Sequence, residues 1–137
     1  MAEPLFRRLC LIGVAPPPVA GRVDRSIARV ARERGDIAGT VVAHSRRPET
    51  LARVRELGFA DVVEADPARA VAEADAVILC VPVGAYAGVM ASIAPHLMPG
   101  AVLSDVGSTK GSVIRDLAPL LPAGVHLVPA HPMAGTE

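Results

Sequence analysis

Residues 76–81, AVILCV, form an unbroken apolar run that Pro82 halts. A strand with no polar side chain on either face has to be covered on both. Four more runs, largely apolar, also read as strands: RLCLIG (8–13), TVVAH (40–44), AVLSDV (101–106) and VHLVPA (125–130). DVVEA (61–65) adds a shorter one. No Asn-Gly or similar hairpin signal joins any of them. Segments of helical spacing lie between them instead, so the pattern predicts a mostly parallel sheet with helices on both faces.

The helices are predicted from their punctuation. Ser26–Arg34 places Ile27, Val30 and Ala31 on one face, with Arg29, Arg32 and Glu33 toward water and Gly35 as the stop. Residues 46–58 carry Pro48 near the start, Leu51, Val54 and Leu57 on one face, and Gly58 at the end. In 66–74, Asp66 and Pro67 stand as N-cap and first position. An apolar helix is expected over 85–97, weakened by Gly88 and closed near Pro95, and another over 109–121, which Pro119 closes early. The fold class expected is α/β, a Rossmann-like doubly wound sheet. The 137 residues suffice for one domain, a dinucleotide-binding domain over 1–137.

Composition narrows the partners. Hydrophobic residues make up 51% but aromatic ones only 2%, so the core must be Val, Leu, Ile and Ala. Fourteen basic and fourteen acidic residues cancel, which with so few aromatics argues against nucleic acid. Cys10 and Cys80 each sit in an apolar run and are expected as buried free thiols, with no zinc-binding spacing. Arg7-Arg8 before an apolar stretch imitates a secretory signal, but Pro16, Pro17 and Pro18 follow at once. No charge occurs between Asp75 and Asp105, yet Pro82, Gly84, Gly88, Pro95 and Pro99 interrupt that stretch, so no membrane span is expected.

In a parallel α/β sheet the ligand lies at the carboxyl ends of the strands. Those ends are Gly13, His44-Ser45, Val81-Pro82, Val106-Gly107-Ser108 and His131. The small and polar residues of the chain gather there.

DVGSTKG (105–111) and HPMAGTE (131–137), with ILCVPV (78–83) and SIARVARERG (26–35), resemble the cofactor-binding half of the prephenate and arogenate dehydrogenases. The likeness covers nearly the whole chain except roughly residues 14–25. It implies a cytoplasmic enzyme of tyrosine biosynthesis. Hydride passes from a cyclohexadienol ring to NAD or NADP, with loss of carbon dioxide and aromatisation. By resemblance His131 accepts the proton of the ring hydroxyl, and Pro132 behind it holds the backbone extended. Ser108 matches the serine that hydrogen-bonds that hydroxyl, and Glu137 an active-site acid. As a bare residue Ser108 is also a plausible helix N-cap, and Lys110 either attracts a carboxylate or sits in solvent. Gly13, Val81, Pro82 and Gly107 are expected along the cofactor. Ser45, Arg46 and Arg47 stand where an acidic residue commonly holds the adenosine ribose, which leans toward NADP. The resemblance further implies a helical domain that supplies a homodimer interface and a basic group for the ring carboxylate. Residues 1–137 alone are therefore expected to turn over little or no substrate.

One stretch resists this pattern. Counting from Gly13, the later glycines of a dinucleotide fingerprint are replaced by Ala15 and Pro18, and proline offers no N–H. With a helix from Ser26 the connection is also about half a dozen residues too long. Three explanations stand. Gly21 starts a shifted turn, with Asp24 or Ser26 as cap; the site is dead and the domain a non-catalytic relic; or residues 14–25 carry paired frame errors in the coding DNA. A hydroxyacid-type dehydrogenase would explain the alternation of strands and helices, but not the joining of HPMAGTE to DVGSTKG.

Overall fold

The computed structural model describes residues 3–14, 22–58, 60–106, 115 and 117–128. Six strands form one sheet: β1 (Phe6–Ile12), β2 (Ala38–His44), β3 (Val62–Glu64), β4 (Ala76–Leu79), β5 (Val102–Asp105) and β6 (His126–Leu127). Their order is β3-β2-β1-β4-β5-β6, and every pairing is parallel. The helices are α1 (Arg22–Arg34), α2 (Pro48–Leu57), α3 (Pro67–Val71) and α4 (Tyr86–Ile93), with short 3-10 turns at Val83–Ala85, Ala94–His96 and Ala118–Leu120.

The side-chain alternation of the strands divides the core in two. Cys10, Ile12, Val42, Val77, Leu79 and Leu103 point to one face, where Ala70 and Val71 of α3 and Tyr86, Met90 and Ile93 of α4 cover them. Leu9, Leu11, Val41, Ala43 and Ala76 point to the other, under Ala28 and Ala31 of α1 and Val54 of α2. The doubly wound α/β fold is therefore present, with helices on both faces. No helix among the described residues is long and apolar enough to cross a membrane.

Two aspartates clamp the amino-terminal side of the sheet. Asp75, just before β4, accepts the Arg7 and Arg8 N–H groups of β1 at 2.8 and 2.9 Å. Asp61, just before β3, accepts the Val41 N–H of β2 at 2.8 Å. At the start of α3, Asp66 accepts the Ala68 N–H at 3.0 Å and Pro67 occupies the first turn, as expected. Gly58 ends α2 in the left-handed conformation.

Four expectations need correction, the first at Cys80, which is only part-buried. The inward face of α1 is Ala28 and Ala31 with part-buried Ile27, while Val30 is 46% exposed. Leu57 is 44% exposed, because the inward residues of α2 are Thr50 and Val54. And α1 begins at Arg22, so Asp24 and Ser26 lie within its backbone and neither stands at its N-cap position. Part of the excess length in that connection is thus helix. Most of the helix expected over 109–121 lies outside the described residues.

Candidate functional site

Between β1 and β4 the strand order reverses direction, and crossovers leave the sheet on opposite sides. The carboxyl ends of β1, β2 and β4 flank a cleft of about 700 Å³ there. Gly13 and Val14 form one part of its wall, Ser45, Arg46 and Arg47 a second, and Val81, Pro82, Gly84 and Gly88 a third. Much of this wall is small or backbone, which suits an extended ligand more than a compact one.

Gly13 is the tightest point. Its φ is +82°, a region that disfavours side chains, and a Cβ there would collide with Cγ1 of Val81. Its N–H donates to the His44 carbonyl at 3.0 Å and to Nδ1 of the His44 ring at 3.1 Å. The Val14 N–H donates to the same carbonyl at 2.8 Å. The end of β1 is thereby tied to the end of β2. Beyond β4, the Cys80 N–H donates to the Ile12 carbonyl at 2.8 Å, which carries Val81 and Pro82 to the rim.

The rim after β2 is polar and positive. Ser45 is only 5% exposed, and its Oγ accepts the Arg47 N–H at 3.2 Å, which fixes the approach to α2. Arg46 and Arg47 are exposed and form no ion pair among the described residues. Their guanidinium groups remain free for an anion at the amino end of a helix, where the dipole also favours negative charge. Pro67 closes this side of the cleft.

His44 is the residue whose role the sequence did not disclose. It is 5% exposed and lines the cleft, and its Nε2 is buried with no hydrogen-bond partner among the described residues. Burial holds its imidazole below the ordinary value, against the opposing pull of the Ala65 backbone and of Glu64 and Asp66. Sequence alone placed this histidine at the carboxyl edge, but nothing in it shows which way the ring turns. A buried pair was also unforeseen: the Tyr86 hydroxyl donates to Asp105 at 3.1 Å, at the carboxyl end of β5.

The structure brings Gly13, Ser45, Arg46, Arg47, Val81 and Pro82 together around one cleft. Gly107, Ser108, Lys110, His131 and Glu137 lie outside the described residues. The strands that precede them are placed. The Val106 N–H donates to the Leu79 carbonyl at 3.2 Å, and the Val128 N–H to the Leu103 carbonyl at 2.8 Å. Both leads therefore leave the sheet on its carboxyl side. Cys10 lies in the core, where burial pushes its thiol up to about 12, and takes no part in the cleft. No cluster of metal-binding side chains occurs among the described residues.

A glycine cradle, a cleft of this size and a cationic rim at the end of β2 fit an extended dinucleotide. Known proteins point the same way. The family described as prephenate dehydrogenase, nucleotide-binding domain, matches residues 27–137. Cyclohexadienyl dehydrogenase of Zymomonas mobilis is 38% identical over 134 residues, covering 97% of this chain and 43% of that protein. Among solved structures, prephenate dehydrogenase from Aquifex aeolicus superposes with a TM-score of 0.77 at 27% identity, over 94% of this chain and 44% of that one. The same enzyme in complex with hydroxyphenyl propionate and NAD+ gives 0.78 at 25% identity, over 96% and 43%. A 3-hydroxyisobutyrate dehydrogenase of Mycobacterium tuberculosis gives 0.77 at 15% identity, over 96% of this chain and 42% of that one, a likeness of fold alone. The chain spans less than half the length of these relatives.

Proposed function

Since this chain belongs to the prephenate dehydrogenase nucleotide-binding domain family, we propose that its cleft holds NAD(P) for the oxidative decarboxylation of prephenate or arogenate. The observation that carries this proposal is the Gly13 turn, bare of side chain and packed on Val81 where the strand order reverses. A nicotinamide bound there supplies the hydride acceptor. Gly13, Val81, Pro82 and Gly107 line its path with backbone and small side chains. Ser45, Arg46 and Arg47 bind the adenosine ribose end, and their positive charge favours the 2′-phosphate of NADP.

The chain's other residues handle the substrate. His131 accepts the proton released as the ring hydroxyl becomes a carbonyl, and its imidazole suits that task near neutrality. Ser108 donates a hydrogen bond that orients the same hydroxyl, and Glu137 serves as an active-site acid. Residues 1–137 act as the dinucleotide-binding domain of a cytoplasmic, homodimeric enzyme of tyrosine biosynthesis. The turnover itself is proposed for this domain together with the remainder that its relatives carry. A non-catalytic relic is not favoured, since the alignment with the Zymomonas protein covers 97% of this chain.

Kinetics of the whole enzyme test these roles. His131→Asn and Ser108→Ala are expected to lower kcat by about 10²-fold or more while leaving the cofactor dissociation constant within about twofold. A His131→Asn enzyme with unchanged kcat and an unchanged pH profile would refute the assignment.

A further inference from the structure

The proposed reaction makes no use of the imidazole at the end of β2. His44 Nδ1 accepts the Gly13 N–H at 3.1 Å, so that nitrogen carries no proton. The neutral ring therefore keeps its proton on Nε2, which is buried without a partner among the described residues. The same residue's carbonyl holds both Gly13 and Val14. Ring and carbonyl together fix the backbone where β1 leaves the sheet, and that backbone forms the cleft wall packed against Val81.

We infer that His44 is a positioning residue for the dinucleotide: its neutral ring, beside its carbonyl, holds Gly13 in the binding conformation, and protonation withdraws the ring's share of that hold. This role presupposes the nucleotide proposed above. Once protonated, the ring would aim an Nδ1–H at the Gly13 N–H, two donors facing each other, and the contact breaks. Every element around the ring enters the balance. The Ala65 backbone, Glu64 at the end of β3 and Asp66 before α3 favour the charged ring. Arg46 disfavours it, Arg47 at the start of α2 adds positive charge to the same cleft, and β1 presents only the uncharged Gly13 and Val14. Burial dominates and keeps the ring neutral at physiological pH. The folded-state value is depressed, so the contact is fully present above the ordinary histidine value and is lost as pH falls through the lower one. Nucleotide affinity accordingly falls on the acid side.

Calorimetric titration with NADP+ between about pH 5 and pH 8 tests this on the parent chain, His44→Asn and His44→Leu. Asparagine Oδ1 can accept from Gly13 where Nδ1 did, but takes up no proton. The 2′-phosphate of the ligand titrates in the same range, and comparison between proteins cancels its contribution. His44→Asn is expected to bind within about threefold of the parent near neutrality, and to lose roughly fivefold less affinity on acidification. His44→Leu is expected to bind about tenfold more weakly at every pH. Nitrogen-15 NMR of the parent ring should show the Nε2–H tautomer, titrating below the free-histidine value. The same acid-side loss in His44→Asn, or a ring protonated on Nδ1, overturns the role of His44 and leaves the nucleotide proposal standing. No binding of either NADP+ or NAD+ by the parent at any pH overturns both.

Discussion

Gly13→Ala puts the most direct strain on the cleft. At φ +82° any Cβ costs about 1–2 kcal/mol in backbone conformation alone. The new methyl also lands on Cγ1 of Val81, which is partly buried against the core. Overpacking of that kind costs about 1–3 kcal/mol. The two together give about 2–5 kcal/mol, a large share of the roughly 5–15 kcal/mol by which a domain is stable. Urea unfolding followed by circular dichroism measures the loss. Val81→Ala removes the collision but not the conformational cost, so the double variant should recover about 1–3 kcal/mol relative to additivity. A Gly13→Ala protein within about 0.5 kcal/mol of the parent, or strict additivity with Val81→Ala, would refute the packing described for this turn.

Other perturbations separate the two ends of the sheet. Replacing Arg46 and Arg47 together by alanine should weaken NADP+ binding by about tenfold or more and NAD+ binding far less, as calorimetry with each nucleotide would show. Asp75→Ala removes the acceptor of two backbone N–H groups on β1 and should cost about 1–3 kcal/mol in denaturant unfolding, with nucleotide affinity unchanged because the clamp lies at the far side of the sheet. Cys10, buried and with its thiol pushed up to about 12, should resist iodoacetamide at mildly alkaline pH until the protein is unfolded, as peptide mass mapping would report.

The fold could be read from the chain because its strands are short, mostly apolar runs ended by proline, glycine or a polar residue. AVILCV can be buried on both faces in few other ways. The helix faces were harder. Ala28 and Ala31 turn inward on α1, and small residues give a weak hydrophobic signal, so the larger Val30 misleads. The start of α1 was misplaced for a related reason. No breaker separates Arg22 from Ser26, and the prolines before them drew the expected boundary too late. At the cleft, position could be read but orientation could not. His44, Ser45 and Gly13 were all expected at the carboxyl edge. That the ring turns back onto a glycine N–H depends on the pairing of β1 with β2, which places Ile12 opposite His44. Tyr86 and Asp105 likewise meet only because α4 folds back over β5.

The central claim is that the crevice between β1 and β4 takes a dinucleotide. Backbone amide NMR during titration with NADP+ and NAD+ measures this directly. Saturable shifts concentrated at Gly13, Val14, Ser45, Arg47, Val81 and Gly84 are the predicted result. Shifts confined to other parts of the sheet, or none at millimolar nucleotide, would contradict it.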